Sequence, residues 1–244
     1  MDEQAFEVVR GGPVATLHLS RPRQGNRLLT HEIRELGRAV REAGTAPDVK
    51  VVVLRAGGEA FCLGRQPDSG GNAPSTAMEI RERVTQPILD LYADIRATPV
   101  PVVAVVQGDA RGFGCALVGQ CDLAIAAEGA CFSMPEMDTH LPPTLAISAV
   151  LGKIPPKRLL GMVYSRQPIA AADALAIGLV SHVASAQGLE AAAAETLAQL
   201  TDRNRASLCA IKEYMSAAPY VDPHSAARLA SNILSVVLSS SRDV

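Results

Sequence analysis

Two stretches of this chain put glycine turns directly after apolar runs, which is where free backbone N–H groups collect. In Val102–Cys121 the β-branched run Val102–Val106 ends at Gln107-Gly108. Gly112 and Gly114 punctuate the turn, and Cys115–Val118 reads as part of a buried helix. The N–H groups of a helix start lie at the positive end of its dipole, so the stretch suits negative charge, fixed or developing during a reaction. The second junction, Phe61-Cys62-Leu63-Gly64-Arg65, follows the apolar run Val49–Leu54. One N–H from each junction could face a single carbonyl oxygen. That is an oxyanion hole, worth about 3–4 kcal/mol per donor to an enolate-like transition state.

Other chemistries fit the residues poorly. After Gly112 and Gly114 a dinucleotide fingerprint needs a third glycine where Leu117 stands, and no acidic residue follows at the right distance. Gly152-Lys153 lacks the preceding glycine of a phosphate-binding loop, and there is no G-x-S-x-G elbow. The five histidines are scattered, and none pairs with another His or Cys at ligand spacing, so no metal is expected.

The elements that must carry these loops alternate. Phe6–Arg10 and Val14–Ser20 read as a hairpin around Gly11-Gly12-Pro13. Thr30 is expected to cap a helix reaching about Ala43, and Val49–Leu54 is a buried strand. Gln66–Ser75 reads as a mobile loop, and Met78–Arg96 as one long helix with Ile80, Val84, Ile88, Leu91 and Ile95 on a stripe. Strands are expected at Asp122–Ala127, Cys131–Met134 and Leu179–Val183. Helices are expected from Thr144 as cap to about Leu151, from Pro155-Pro156 to Tyr164, and at Ile169–Gly178. An alanine-rich pair, Gly188–Leu200 and Asn204–Ala217, follows. The last helix, His224–Leu238, is apolar around most of its girth, which suggests an oligomer. The pattern is an α/β core over residues 1–186 with a helical region over 187–244.

Composition bounds the rest. The 244 residues suit one substantial domain, and a net charge of −2 gives no basic excess for nucleic acid. Aromatic residues make up 3% with no Trp, too few for a base-stacking surface. No apolar run approaches the roughly 20 residues of a membrane helix, and the start MDEQAFEVVRGG has no signal-peptide pattern. The five cysteines form no C-x-x-C pair and read as buried small hydrophobes in a reducing compartment, the cytoplasm.

Several pieces in order resemble the crotonase family, the enoyl-CoA hydratase/isomerase superfamily. They are Ser20-Arg21-Pro22…Asn26, Ala60-Phe61-Cys62-Leu63-Gly64, Ala104–Gly108…Gly112-Phe113-Gly114-Cys115…Cys121-Asp122, Phe132…Pro135-Glu136, and Ala170…Ala174…Gly178-Leu179-Val180. The resemblance implies a spiral of ββα turns with a helical C-terminal trimerisation region, assembled as a homotrimer or a dimer of trimers. It also implies acyl-CoA thioester substrates, with coenzyme A entering as part of the substrate and no other cofactor. The thioester oxygen would be held by the N–H groups of Arg65 and Phe113, in loops that include Leu63, Gly64, Gln66 and Gly112. The loop from Arg23 and Gln24 to Leu28 would lie near the CoA nucleotide, with Arg23 a candidate phosphate contact.

One family feature is missing. Hydratases of the family carry two glutamates that hold the added water, and the first of these positions is Ala116 here. The second, after Pro135, is Glu136. Following a strand of Cys131, Phe132 and Met134, its carboxyl should be partly desolvated and its pKa raised, as a general acid/base needs. One glutamate suits a proton shuttle, so double-bond isomerisation is favoured over hydration. Asp138 and His140 are candidates to replace the missing group or to line the acyl pocket. The alternatives are a hydratase that pairs Glu136 with one of them, or a weakly active acyl-CoA-binding family member.

Overall fold

The computed structural model describes residues 4–67 and 74–240. Of the loop expected over Gln66–Ser75, residues 68–73 lie outside the described residues.

The chain opens with the hairpin β1 (Phe6–Gly11) and β2 (Val14–Leu19), antiparallel with Phe6 opposite Leu19. Along β2, Ala15, Leu17 and Leu19 are buried and the alternate residues half-buried, so one face meets the core. Helix α1 (Thr30–Thr45) leads to β3 (Val51–Ala56). Next come α2 (Ala77–Ile80), a π turn over Arg81–Thr85, and α3 (Gln86–Ala97). Then follow β4 (Val102–Val106), β5 (Ala110–Arg111), α4 (Phe113–Gln120), β6 (Leu123–Ala127) and β7 (Cys131–Ser133). Helices α5 (Thr144–Val150) and α6 (Pro156–Ser165), strand β8 (Ile169–Ala170), α7 (Ala171–Ala176) and β9 (His182–Ala184) complete the core. Helices α8 (Leu189–Thr201), α9 (Arg205–Ala217) and α10 (Pro223–Ser240) form the tail.

Two layers of strands share one order. The six-stranded sheet runs β1-β2-β3-β4-β6-β9, parallel from β2 onward. The smaller sheet runs β5-β7-β8, and Cys62 extends it by a parallel bridge to Ala110. Each turn of the chain therefore gives one strand to the large sheet and one to the small layer before a helix returns. This is a spiral of ββα turns. The runs VVVL and VVAVV are apolar throughout because both faces of the large sheet are covered. Val52, Leu54, Val102, Ala104 and Val106 enter the main core. Val51, Val53, Val103 and Val105 meet Leu189 and Ala193 of α8 on the opposite face.

The elements differ from expectation where backbone bonding overrides local pattern. Thr30 is the first helical residue and not the cap. Leu29 holds the cap position, and its N–H donates to Oε2 of Glu32 at 2.7 Å. Thr144 likewise begins α5 after Pro143. The expected single helix Met78–Arg96 is interrupted by the π turn just before Pro87, whose ring nitrogen cannot donate to the carbonyl four residues back. Ile169 and Ala170 are strand, because they pair antiparallel with Phe132 and Cys131. The last strand starts three residues later than expected. Gly178 is left-handed (φ 82), and the Leu179 N–H still bonds back to Ala174 of α7 at 2.9 Å.

The tail is tied to the core by cations. Arg205 donates to the carbonyls of Val49 (2.9 Å) and Gly44 (3.0 Å), and Asn204 caps α9 through the Ala206 N–H at 2.8 Å. Helix α10 packs on α9 with no described side chain fully buried, and Leu234, Val236 and Leu238 stand exposed. Among the described residues, no helix is long and apolar enough to cross a membrane.

Candidate functional site

Main-chain bonds lace the two glycine loops together. The N–H groups of Phe61 and Cys62 donate to the Asp109 carbonyl (3.1 and 3.2 Å), and Arg111 N–H donates to the Cys62 carbonyl (2.9 Å). Gly114 makes the approach possible, since a Cβ there would lie 2.0 Å from the Cys62 carbonyl oxygen. Leu63 N–H donates to Gly25 (2.8 Å), Leu28 N–H to Gly64 (3.4 Å) and Gln66 N–H to Leu28 (2.8 Å), so the loop after Arg23 is bonded to the same assembly. Asn26 and Gln107 both donate from their amides to the Ala60 carbonyl, at 2.8 and 3.0 Å. Among the described residues, neither Arg65 N–H nor Phe113 N–H has an acceptor.

Glu136 enters from the third turn of the spiral. It follows β7 and Pro135 and begins a 3-10 turn over Glu136–Thr139. The path of Gly112 fixes its place: Gly112 N–H donates to the Ser133 carbonyl at 2.8 Å, and a Cβ on Gly112 would lie 2.8 Å from Oε1 of Glu136. The other oxygen, Oε2, is buried without a hydrogen-bond partner among the described residues. Burial raises the Glu136 pKa above the ordinary carboxylate range. Ala116, where the family's first glutamate would stand, is fully buried, and the neighbouring Cys115 thiol is pushed by burial up to about 12. It stays neutral and unreactive near pH 7.

The remaining candidates divide. Leu63, Arg65, Gln66 and Pro135 are half-buried, and Gly64 and Phe113 buried, around the laced loops. Arg23 and Gln24 are exposed on a 3-10 turn, Pro22–Gln24, at the start of the bonded loop. Asp138 is held at the surface by Arg166 at 3.0 Å, and His140 is exposed in a left-handed conformation (φ 59) closing the 3-10 turn. Two residues near the site were missed by the sequence reading. Arg27 has a guanidinium nitrogen 3.6 Å from where a Gly64 Cβ would stand, and its signal was a second basic residue in the Arg23–Leu28 loop. Tyr92 is buried on α3, and burial first, with the Cys115, Glu136 and Cys62 acids, holds its phenol pKa well above the ordinary value. Its signal was a hydroxyl beside an otherwise apolar stripe. Two further cavities, of about 480 and 580 Å³, lie elsewhere, one between α9 and α10 and one around Lys153 and Lys212.

Known proteins share both sequence and architecture with this chain. The sequence profile of the enoyl-CoA hydratase/isomerase family matches residues 10–241. The mitochondrial enoyl-CoA hydratase domain-containing protein 3 of Rattus norvegicus is 29% identical over 192 residues, 79% of this chain and 63% of that protein. Its Homo sapiens counterpart is 30% identical over 170 residues, 70% of this chain and 55% of that protein. The match therefore spans less than two thirds of the length of these relatives. Among crystal structures, an enoyl-CoA hydratase of Mycobacterium smegmatis superposes with a TM-score of 0.90 at 27% identity, covering 97% of this chain and 91% of that one. The human domain-containing protein 3 also reaches 0.90, at 25% identity, with 97% and 92% covered. With the spiral, the laced glycine loops and the profile match all in agreement, the chain belongs to the enoyl-CoA hydratase/isomerase family.

Proposed function

We propose that this protein is an enzyme acting on acyl-CoA thioesters by an isomerase-type proton shuttle. The free N–H groups of Arg65 and Phe113 polarise the thioester carbonyl, and ionised Glu136 removes a proton from a carbon conjugated to it. The electron pair moves onto the thioester oxygen, held by the two donors. Protonated Glu136 then returns the proton to a different carbon, and the double bond has moved. The observation that carries this reading is the half-buried Glu136 carboxyl, packed on the Gly112 turn with one oxygen unpartnered, while the position of a second acid is the apolar Ala116. A hydratase that recruits Asp138 or His140 has less support, since Asp138 is engaged by Arg166 and His140 is exposed.

No cofactor beyond the coenzyme A of the substrate is required by this chemistry. The apolar side chains left open on α10, Leu234, Val236 and Leu238, support assembly into a trimer or a pair of trimers. The cytoplasm remains the proposed compartment, although the two mammalian relatives are named as mitochondrial.

Incubation with 3-enoyl- and 2-enoyl-CoAs of several chain lengths tests the reading. Migration of the double bond without hydration, abolished in Glu136→Gln, is the expected result. Hydration of 2-enoyl-CoA at a comparable rate overturns the isomerase preference. Binding without any turnover supports the weakly active acyl-CoA-binding alternative.

A further inference from the structure

The Arg65 N–H takes its direction from the peptide it belongs to. That peptide is trans, so its carbonyl, that of Gly64, points the opposite way. The Gly64 carbonyl accepts from Leu28 N–H at 3.4 Å, and Gln66 N–H donates to the Leu28 carbonyl at 2.8 Å. Arg65 is thus bridged in parallel to Leu28, and its N–H is turned away from that residue. At 3.4 Å the bond to Gly64 is long and weak by itself. Whatever holds the segment before Leu28 therefore also holds the donor.

Asn26 holds that segment. It is 1% exposed and left-handed (φ 52), a conformation asparagine tolerates. Its N–H donates to the Arg21 carbonyl at 3.0 Å, and the Arg21 guanidinium donates to the Arg27 carbonyl at 3.0 Å. From this frame Asn26 Nδ2 donates to the carbonyls of Gly57 (2.9 Å) and Ala60 (2.8 Å). Gln107, at the second glycine junction, donates from Nε2 to Gly58 and to the same Ala60 carbonyl, both at 3.0 Å. Two amides from distant parts of the chain thus grip residues 57–60, which lead into the loop that ends at Arg65. With carbonyls in front of it, each amide must present its nitrogen there. Among the described residues Asn26 Oδ1 and Gln107 Oε1 are buried without a partner, so the contribution of both side chains lies in their N–H groups.

We infer that Asn26 is a positioning residue for the Arg65 N–H, acting through Leu28 on one side and through residues 57–60 on the other. This rests on the reading of that N–H as an oxyanion donor. The Asn26 amide sets where the donor points, and Gln107 ties the same segment to the junction that carries Phe113.

The test is infrared spectroscopy of hexanoyl-CoA labelled with carbon-13 at the thioester carbonyl, bound to the wild type, to Asn26→Gly and to Lys212→Met. Turnover of 3-hexenoyl-CoA is measured beside it. Glycine keeps the left-handed backbone and removes the amide side chain. In the wild type the carbonyl stretch should move to lower frequency on binding, because two donors polarise it. Asn26→Gly should lose most of that shift and about 10- to 100-fold in kcat, with the Kd for hexanoyl-CoA within about threefold of wild type. Lys212→Met, whose lost bonds go to Ile95, Val100 and Asp122, should keep the shift and kcat, which separates positioning from loss of stability. If Asn26→Gly does not fold, Asn26→Asp, of the same size but without the amide donors, is read in the same way. An unchanged shift and kcat in the folded variant, or a shift lost equally in Lys212→Met, overturns the assignment and leaves the oxyanion reading intact. Hexanoyl-CoA that binds the wild type without any shift overturns the oxyanion reading and the assignment with it.

Discussion

Gly112 and Glu136 occupy one packing site: the space a Cβ would fill on the glycine is bounded at 2.8 Å by the carboxylate oxygen Oε1. The helix start that carries the Phe113 N–H and the carboxyl proposed as acid/base are therefore positioned by the same turn. Gly112→Ala must displace the carboxyl, and it also places a side chain at φ 53, ψ −116, a conformation L residues avoid. It should cost about 1–3 kcal/mol in urea unfolding from backbone strain and lower kcat about a hundredfold through misplacement of the base. Added to Glu136→Gln, it should cost almost no further activity, because both substitutions disable one device.

The raised pKa of Glu136 has a sign in both activity and stability. The folded state prefers the protonated form more than the unfolded chain does, so its contribution is most favourable below the unfolded value of about 4.3 and is lost as pH rises through the higher folded value. Glu136→Gln should therefore raise Tm relative to wild type at pH 7, with the difference shrinking toward pH 4. Activity runs the opposite way. It should climb with pH through the same raised value if the ionised carboxylate is the base, as proposed. A wild-type rate profile with its midpoint at or below the ordinary Glu value near 4.3 would contradict the shift, and one with no ascending limb would contradict the role.

Legibility in the sequence followed whether a residue's environment was local. Val102–Val106, Gly112 and Gly114 announce a buried strand and a tight turn by themselves, and the structure has both. Glu136 was legible through the family resemblance, which places an acid after the proline of the short strand, and the apolar residues before it added only the expectation of a desolvated carboxyl. The boundaries that moved depended on partners distant in sequence. Ile169-Ala170 looked helical until β7 lay beside it, and Thr30 looked like a cap until Glu32 reached back to Leu29. Tyr92 was absorbed into a helical region whose stripe was apolar. Its near-complete burial follows only when α3 is packed in place. Arg21 is a similar case: its buried ion pair with Glu32 ties the Ser20–Pro22 segment to α1 and is invisible from either residue alone.

Lys212 should prove a stability determinant without touching the proposed chemistry. It is 8% exposed, and its ammonium donates to the carbonyls of Ile95 (2.9 Å) and Val100 (3.1 Å) and to Asp122 Oδ2 (2.7 Å). One cation thereby joins α9 to the end of α3 and the starts of β4 and β6. Lys212→Met keeps the stem but takes the donor away from all three acceptors, of which Asp122 Oδ2 retains the Val102 N–H at 2.7 Å. Because Asp122 is itself partly open to solvent, the expected loss is about 2–3 kcal/mol, below the full value for a fully buried pair. Urea unfolding measures it, and Asp122→Asn in the same background should recover part of the loss.

If Arg65 acts through its main chain, its side chain should be nearly dispensable and its N–H should not. The guanidinium makes no hydrogen bond or ion pair among the described residues, and the N–H, like that of Phe113, has no acceptor among them. Arg65→Ala retains the donor and should leave kcat within the same order of magnitude. Arg65→Pro deletes the donor and should lower kcat about 100- to 1,000-fold, the cost of one oxyanion donor. The comparison is made on kcat at saturating thioester, with Tm confirming that the proline variant is folded. A large loss in Arg65→Ala with an active Arg65→Pro would assign the residue's role to its charge. Equal, small effects of both would remove it from the oxyanion hole.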